Sequence, residues 1–398
     1  MDIFEKCYSF QGAKDAQSRG IYPYFIPIQK SMGTKVVMEG KELIMAGSNN
    51  YLGLSWDPRV KEAAIKAINE YGTSCSGSRF LNGTLSLHEE LEEKLARFVG
   101  RKRALSFTTG YQTNLGAISA LVNKGEHILT DKLNHASIMD GIFLATGLRG
   151  SVRVHRYLHN SMENLELFLS EIPIEEPKLV VTDGVFSMEG DIAKLPRLRA
   201  LCDKYKARLY LDEAHALGVV GSTGRGTEEH HGNGFRADMI MCTFSKSFGS
   251  LGGFIAGDED VVEYVKHVSR PLIFSASMPP ATIAAVTKSL EIIESEPERV
   301  RRLQAIGRKM VAGFKSLGFD VGTAETPIVP LRIGNDEKTF LFWRALFDGG
   351  VFTNPVVSPA VPPTGSLIRT SYMAIHTDGE LDRILDVAGR EGKRLGIL

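Results

Sequence analysis

Cysteine is scarce in this chain: four among 398 residues, at positions 7, 75, 202 and 242. No two have zinc-ligand or redox-motif spacing, and scattered thiols in a chain of this size suit a reducing compartment. No run of 18 or more apolar residues occurs, so no segment reads as a membrane-spanning helix. The opening residues Met1-Asp2-Ile3-Phe4-Glu5-Lys6 lack the basic and apolar regions of a secretion signal. A cytoplasmic protein is therefore expected. Charge of one sign is missing as well, since 47 Lys+Arg face 47 Asp+Glu. Nucleic-acid binders usually carry a basic excess, so no nucleic-acid partner is expected.

Several motifs are absent too. There is no Walker-type phosphate loop and no Gly-x-Gly-x-x-Gly after a strand. Gly-x-Ser-x-Gly is missing, which removes the hydrolase nucleophile elbow. His230 and His231 are adjacent rather than four apart, so they do not share a helix face, and no metal site is expected. Repeats and low-complexity tracts do not occur. Glycine is the one residue in excess, 40 of 398, where about 7% is usual.

What the chain does have is alternation. Asp57-Pro58 opens a helix with a good N-cap and a proline suited to the first turn. Val60, Ala64 and Ile68 continue it, and Gly72 ends it. Ser86-Leu87-His88-Glu89 reads as a capping box, ahead of the apolar stripe Leu87, Leu91, Leu95 and Phe98. Short apolar strands are expected at 104–107, 127–131, 151–157, 179–182, 208–212, 239–243 and 253–256, separated by helical stretches. That is the pattern of an α/β protein with a mostly parallel sheet. After Pro279 long helices at 283–295 and 297–317 precede strands at 328–333, 351–354 and 367–371 and a last helix at 378–395. The expected organisation is an N-terminal arm (1–45) packed on the small domain, a large domain (46–285) and a small C-terminal α+β domain (286–398).

In such sheets ligands sit beyond the carboxyl ends of the strands. Three strand ends carry chemistry. Asp212-Glu213-Ala214-His215 follows one, Thr243-Phe244-Ser245-Lys246 ends another, and Thr108-Thr109-Gly110-Tyr111 forms a small-residue turn into a helix. Singly these read as a cap, a solvated lysine and a turn. Together they suit pyridoxal phosphate: a lysine amine for the aldehyde, a carboxylate for the pyridine nitrogen, and a helix N-terminus for the phosphate.

With these residues in place, the sequence resembles the α-oxoamine synthase family of fold-type I pyridoxal-phosphate enzymes. The run Thr243-Phe-Ser-Lys246-Ser-Phe-Gly-Ser-Leu-Gly252 carries the likeness. So do Asn50-Tyr51-Leu52-Gly53-Leu54, Gly77-Ser78-Arg79, Leu81-Asn82-Gly83-Thr84, Asp212-Glu213-Ala214-His215 and Val185-Phe186-Ser187-Met188-Glu189-Gly190-Asp191. The resemblance implies a large domain with a mostly parallel seven-stranded sheet and a smaller C-terminal domain. It implies pyridoxal 5'-phosphate as cofactor. Lys246 would hold the aldehyde and move the α-proton, Asp212 would bond the pyridine nitrogen, and His135 would stack on the ring. His215 and Ser187 would lie near the ring hydroxyl, with Gly110, Tyr111, Thr243 and Ser245 on the phosphate side. Arg369, Asn50 and His135 would bind the amino acid. Ser275 and Ala276 would reach the phosphate of a neighbouring subunit, so a homodimer with a shared active site is implied.

Members of this family join a small amino acid to an acyl-CoA with loss of carbon dioxide. The stretches 107–116, 78–84 and 354–362 most resemble members that use L-serine and a long-chain acyl-CoA. The proline-rich loop 355–363 stands before Arg369, where it would shape the carboxylate site and the mouth for the acyl chain. Glycine or alanine with a shorter acyl-CoA is the alternative, and an aminotransferase on the same scaffold is the rival reaction class. A lipid-like product would also imply contact with the inner face of a membrane.

Overall fold

The computed structural model describes residues 2–232, 234–358, 360–362 and 364–398. Its centre is a seven-stranded sheet of β4 (Arg103–Phe107), β5 (His127–Asp131), β6 (Arg153–Tyr157), β7 (Lys178–Asp183), β8 (Arg208–Asp212), β9 (Met239–Thr243) and β10 (Gly253–Gly257). The spatial order is β4-β10-β9-β8-β7-β5-β6. Strands β9, β8, β7, β5 and β6 pair in parallel, and β10 runs antiparallel to both neighbours. Side chains alternate between faces along a strand, and here both faces are buried. Phe254 and Ala256 of β10 enter one core cluster while Ile255 enters another. Ile240 and Cys242 of β9 take the first face and Met241 the second. This two-sided burial explains why the strands read as continuous apolar runs. Phe254 is fully buried, with its ring stacked 5.6 Å from Phe244, and truncating it to alanine would cost about 3–5 kcal/mol.

A second cluster gathers the chain's two ends. Near the N-terminus β1 (Lys30–Met32), β2 (Lys35–Met38) and β3 (Lys41–Met45) form a meander, and β12 (Val351–Phe352) adds to β3 in parallel. Beside it lies a three-stranded sheet of β11 (Ile328–Arg332), β13 (Asn354–Val356) and β14 (Leu367–Ser371), with β14 in the middle. Val36, Met38 and Leu43 from the meander pack with Phe342, Trp343, Ile368 and Ile384.

The long helices lie close to their expected bounds, at Pro280–Ser295, Pro297–Leu317 and Asp378–Arg394. Two expectations are corrected. The strand expected at 351–354 is two strands in different sheets, because the chain passes from β3's edge to β14's edge at Thr353. The helix Ser86–Phe98 is not capped by Ser86. Leu85 is its N-cap, and the Leu85 N–H donates to His88 Nδ1 at 3.0 Å, so the imidazole takes the place expected of Glu89. Of the proline-rich loop, Pro359 and Pro363 lie outside the described residues. Among the described residues no helix is long and apolar enough to cross a membrane.

Candidate active site

A cavity of about 250 Å³ opens at the carboxyl ends of the parallel strands, lined among others by Gly110, Tyr111, His135, Asp212, His215, Thr243, Ser245 and Lys246. The strands deliver these residues for a simple reason. An apolar strand buried on both faces must stop where the sequence turns polar, and β8 stops at Asp212, β9 at Thr243 and β7 at Asp183.

Lys246 stands three residues beyond β9. Desolvation in the cavity lowers its ammonium to about 8, against the pull of Asp212 and Asp183. A substantial fraction of the amine is therefore neutral near physiological pH, as a nucleophile or base requires.

Asp212 is buried, and its partners are neutral amides: Ala214 N–H donates to Oδ1 at 2.9 Å and Asn114 Nδ2 to Oδ2 at 2.7 Å. Asn114 also donates to Ser137 Oγ at 2.9 Å and accepts from Tyr210 Oη at 2.9 Å. Ser137 in turn meets His135 Nδ1 at 2.7 Å, and its N–H points at the same nitrogen. His135 Nδ1 is thus an acceptor, which leaves the ring proton on Nε2. Burial lowers the His135 imidazolium and keeps the ring neutral. His215 shows the same logic. Burial pushes its imidazolium well below the usual range, and Tyr51 Oη lies 2.7 Å from Nδ1.

The helix Gly110–Leu121 aims its N-terminus at the cavity, capped by Thr109, whose side chain accepts from Gln112 N–H. The first-turn amides of Gly110 and Tyr111 have no partner in the helix ladder. Glycine is required at 110, because a Cβ there would lie 2.4 Å from Thr243 Oγ1. Thr243 Oγ1 and Ser245 Oγ lie 2.9 Å apart beside these amides. Amides, a helix N-terminus and two hydroxyls make a cup for a phosphate dianion.

Five expected residues lie outside the cavity lining. Arg369, on β14, is buried beside Tyr51. Its Nε donates to the Ser187 carbonyl at 2.6 Å, and its Nη2 lies 3.0 Å from Asn49 Oδ1 and 3.4 Å from Tyr51 Oη. Ser187 therefore meets Arg369 through its backbone. Asn50 is engaged with Ser55, its Nδ2 2.8 Å from Oγ. Ser275 Oγ accepts from Gln112 Nε2 at 2.9 Å, and Ala276 bridges Ser78 and accepts from Thr108 Oγ1. Residues that sequence reasoning missed are Asn114, Ser137, Asp183 and Tyr51. The signal for Asn114 was present: a polar residue among Leu115, Ala117 and Ile118 on a helix that enters the core.

The donor set fits pyridoxal phosphate. A buried carboxylate with only neutral partners suits a protonated ring nitrogen, the amine suits the aldehyde, and the cup suits the phosphate. Residues 41–387 match the family model "Aminotransferase class I and II". The chain belongs to this family. The class I and II aminotransferase relatives include a serine palmitoyltransferase of Sphingobacterium spiritivorum, 49% identical over 99% of this chain and 98% of that protein. An 8-amino-7-oxononanoate synthase of Thermoanaerobacter pseudethanolicus is 41% identical over 97% and 96%. Among solved structures, a serine palmitoyltransferase from S. paucimobilis with bound pyridoxal phosphate and myriocin has a TM-score of 0.95 at 36% identity, with both chains covered fully. The fold is that of the fold-type I pyridoxal-phosphate enzymes, and pyridoxal 5'-phosphate is the cofactor.

Proposed function

We propose that the protein condenses L-serine with a long-chain acyl-CoA, of which palmitoyl-CoA is the type, releasing CoA and carbon dioxide and giving 3-ketodihydrosphingosine. The observation that carries this reading is the 49% identity, over nearly the whole of both chains, to a serine palmitoyltransferase. The convergence of Lys246, Asp212 and His135 on one cavity supports it. The organisation into an arm (1–45), a large domain (46–285) and a small domain (286–398) belongs to the same proposal.

Bound pyridoxal phosphate supplies an aldehyde for amines and a ring that accepts the electron pair released at the amino acid's α-carbon. The rest is done by this chain. Gly110 and Tyr111 amides with the Thr243 and Ser245 hydroxyls hold the phosphate. Asp212 keeps a proton on the ring nitrogen, and Asn114 fixes its carboxylate. His135 would cover the ring face, and His215 and Ser187 would serve the side of the ring hydroxyl. Arg369 takes the serine carboxylate, with His135 and Asn50 at the substrate end. Lys246, neutral in part near pH 8, takes the α-proton. The α-carbon then bonds the thioester carbonyl and the CoA thiolate leaves. The serine carboxylate departs as carbon dioxide, and Lys246 returns a proton to the same carbon.

Two copies of the chain form the working unit, with Ser275 and Ala276 of each reaching the other's phosphate. A cytoplasmic location belongs to the same proposal, and a long-chain product would favour peripheral contact with the inner membrane face.

The test is a panel of glycine, L-serine and L-alanine against acetyl-, pimeloyl- and palmitoyl-CoA, scored by release of CoA and carbon dioxide. Turnover greatest with serine and palmitoyl-CoA is expected. Turnover greatest with alanine and pimeloyl-CoA would move the chain to the synthase that shares 41% of its residues. Formation of a keto acid without CoA release would overturn the reaction class.

A further inference from the structure

The turn that carries Ser187 is held at both ends, and one of its fastenings is a histidine outside the cavity. Phe186 N–H donates to the Asp191 carbonyl at 3.0 Å and Gly190 N–H to the Phe186 carbonyl at 2.9 Å, which closes the turn. On one side the Asp191 carboxylate reaches the loop after β6: its Oδ2 lies 3.0 Å from His159 Nε2 and 3.1 Å from Asn160 Nδ2. The other nitrogen of the same ring, His159 Nδ1, lies 3.1 Å from Asp131 Oδ1 at the end of β5. Asp131 also accepts from the N–H groups of Leu133 and Asn160, each at 2.8 Å. The ring meets Phe186 edge-on, with centroids 4.4 Å apart.

A carboxylate on each ring nitrogen can be satisfied only if both nitrogens carry protons. Burial opposes the charge, but the two acids outweigh it and push the imidazolium up to about 10. On the opposite side the turn abuts β11. The Gly190 carbonyl accepts from Glu325 N–H at 3.1 Å and Thr326 Oγ1 at 2.9 Å, and Ile192 N–H donates to Glu325 Oε1 at 3.0 Å. The contact is tight enough that a Cβ on Gly190 would lie 2.2 Å from the Ile328 carbonyl oxygen. The turn has little room to shift, and what it presents inward is the Ser187 carbonyl, 2.6 Å from Arg369 Nε.

We propose that His159 is a positioning residue for the amino-acid substrate: by bridging Asp131 and Asp191 it fixes the 186–191 turn, whose Ser187 carbonyl orients the Arg369 guanidinium toward the substrate carboxylate. This rests on the reading of Arg369 as the carboxylate site. His159 does not line the cavity, so its effect falls on binding of the amino acid through Arg369. The acyl-CoA and the proton-transfer step feel it little.

The experiment compares holoenzymes of wild type, H159Q, D191N, R369K and the double variant H159Q/R369K. Each is first checked for cofactor content. L-serine affinity is then read from the change in cofactor absorbance and by calorimetry, and KM and kcat are measured separately. H159Q is expected to weaken serine on the order of tenfold, the size of effect a misaligned binding group gives, with kcat at saturating serine much less changed and KM for the acyl-CoA unmoved. D191N, which keeps an oxygen for Nε2–H, is expected to show a smaller shift in the same direction. If the effect runs through Arg369, H159Q adds no further loss in the R369K background. Unchanged serine affinity in H159Q and D191N, or additive losses in the double variant, would overturn the proposal. Should H159Q lose its cofactor, D191N alone decides the matter. An R369K enzyme with wild-type serine affinity would instead overturn the carboxylate assignment itself, and the role of His159 with it.

Discussion

Asp183 and Asp212 stand opposite each other in register at the ends of the adjacent parallel strands β7 and β8, and both carboxylates line one cavity. Their surroundings divide the labour between them. Asp183 is buried next to Asp212, and burial first, then its neighbour's charge, raise its carboxyl far above the usual range. It accepts the His135 backbone N–H at 3.0 Å. Asp183 therefore holds the loop of His135, while Asp212 takes the Ala214 N–H and Asn114 Nδ2 and faces the cavity.

It follows that D183N and D212N should differ sharply. An amide at 183 keeps the acceptor for His135 N–H, and activity should fall only modestly. An amide at 212 cannot hold the ring-nitrogen proton, and a loss of about a hundredfold or more is expected, comparable to removing one preorganised electrostatic contact. D212A should abolish turnover. Steady-state CoA release measures all three, with cofactor content as the control. Equal losses in D183N and D212N would contradict the division.

Asn114 joins Asp212, Ser137 and Tyr210, all buried. Replacing it with alanine would strand polar groups that water does not reach, at a cost of about 1–3 kcal/mol in stability. N114A holoenzyme should melt earlier and release pyridoxal phosphate more readily. Thermal unfolding and a cofactor dilution assay test both.

The lowered value of Lys246, about 8, gives a pH signature for cofactor uptake. Only the neutral amine attacks an aldehyde. The rate at which apoprotein captures pyridoxal phosphate should rise with pH and level off above about 8. A rate that keeps climbing toward the ordinary lysine range, near about 10.4, would mean that the cavity does not desolvate the amine.

How far the sequence reveals these features depends on the physical reach of each signal. The expected bounds of β5, β8, β9 and β14 coincide with the observed ones, because an apolar run ending in Asp, Thr or Ser carries its own boundary. Lys246, Asp212, Thr243 and Ser245 were legible at the ends of β8 and β9, and Gly110 and Tyr111 in the turn after β4, whereas His135 stood out only through the family resemblance. What sequence reading missed depends on pairing. The split of 351–354 between two sheets is set by distant partners, β3 for one half and β14 for the other. Asp183 gains its character from Asp212, 29 positions away in the chain but adjacent in the sheet. The place of Arg369 beside Tyr51 rests on contacts with Asn49, Tyr51 and Ser187, which no local spacing encodes.

His159 supplies a second pH signature, with the opposite sense to that of a paired acid. Its value in the folded protein is pushed up to about 10, against an ordinary value of about 6.5. The folded state holds the proton more tightly, so the bridge stabilises fully below about 6.5 and fades as pH rises toward about 10. The melting temperature of wild type should exceed that of H159Q most at pH 6, and the two should converge by pH 10. A gap independent of pH would assign the loss to packing against Phe186 instead of to charge.

The shared site proposed above makes a prediction about assembly. The loop 77–84 and the segment 274–277 are tied together by the Ser78–Ala276 bridge and by Ser277 N–H donating to the Gly77 carbonyl at 2.9 Å. Arg79 anchors the loop from below through an ion pair with Glu92 at 2.6 Å. Above that rigid base the loops present Phe80, Leu81 and Phe274 at 54%, 78% and 73% exposure. Apolar tips held out by a buried ion pair suit an interface, since contiguous exposed apolar surface is costly to leave in water. A glutamate at position 81 places a charge where a second copy would cover it, and the interface would have to desolvate that charge. If Ser275 and Ala276 of the other copy reach the phosphate as proposed, L81E should sediment as a smaller species than wild type and bind pyridoxal phosphate more weakly. An L81E protein of unchanged size and cofactor affinity would remove this surface from the interface.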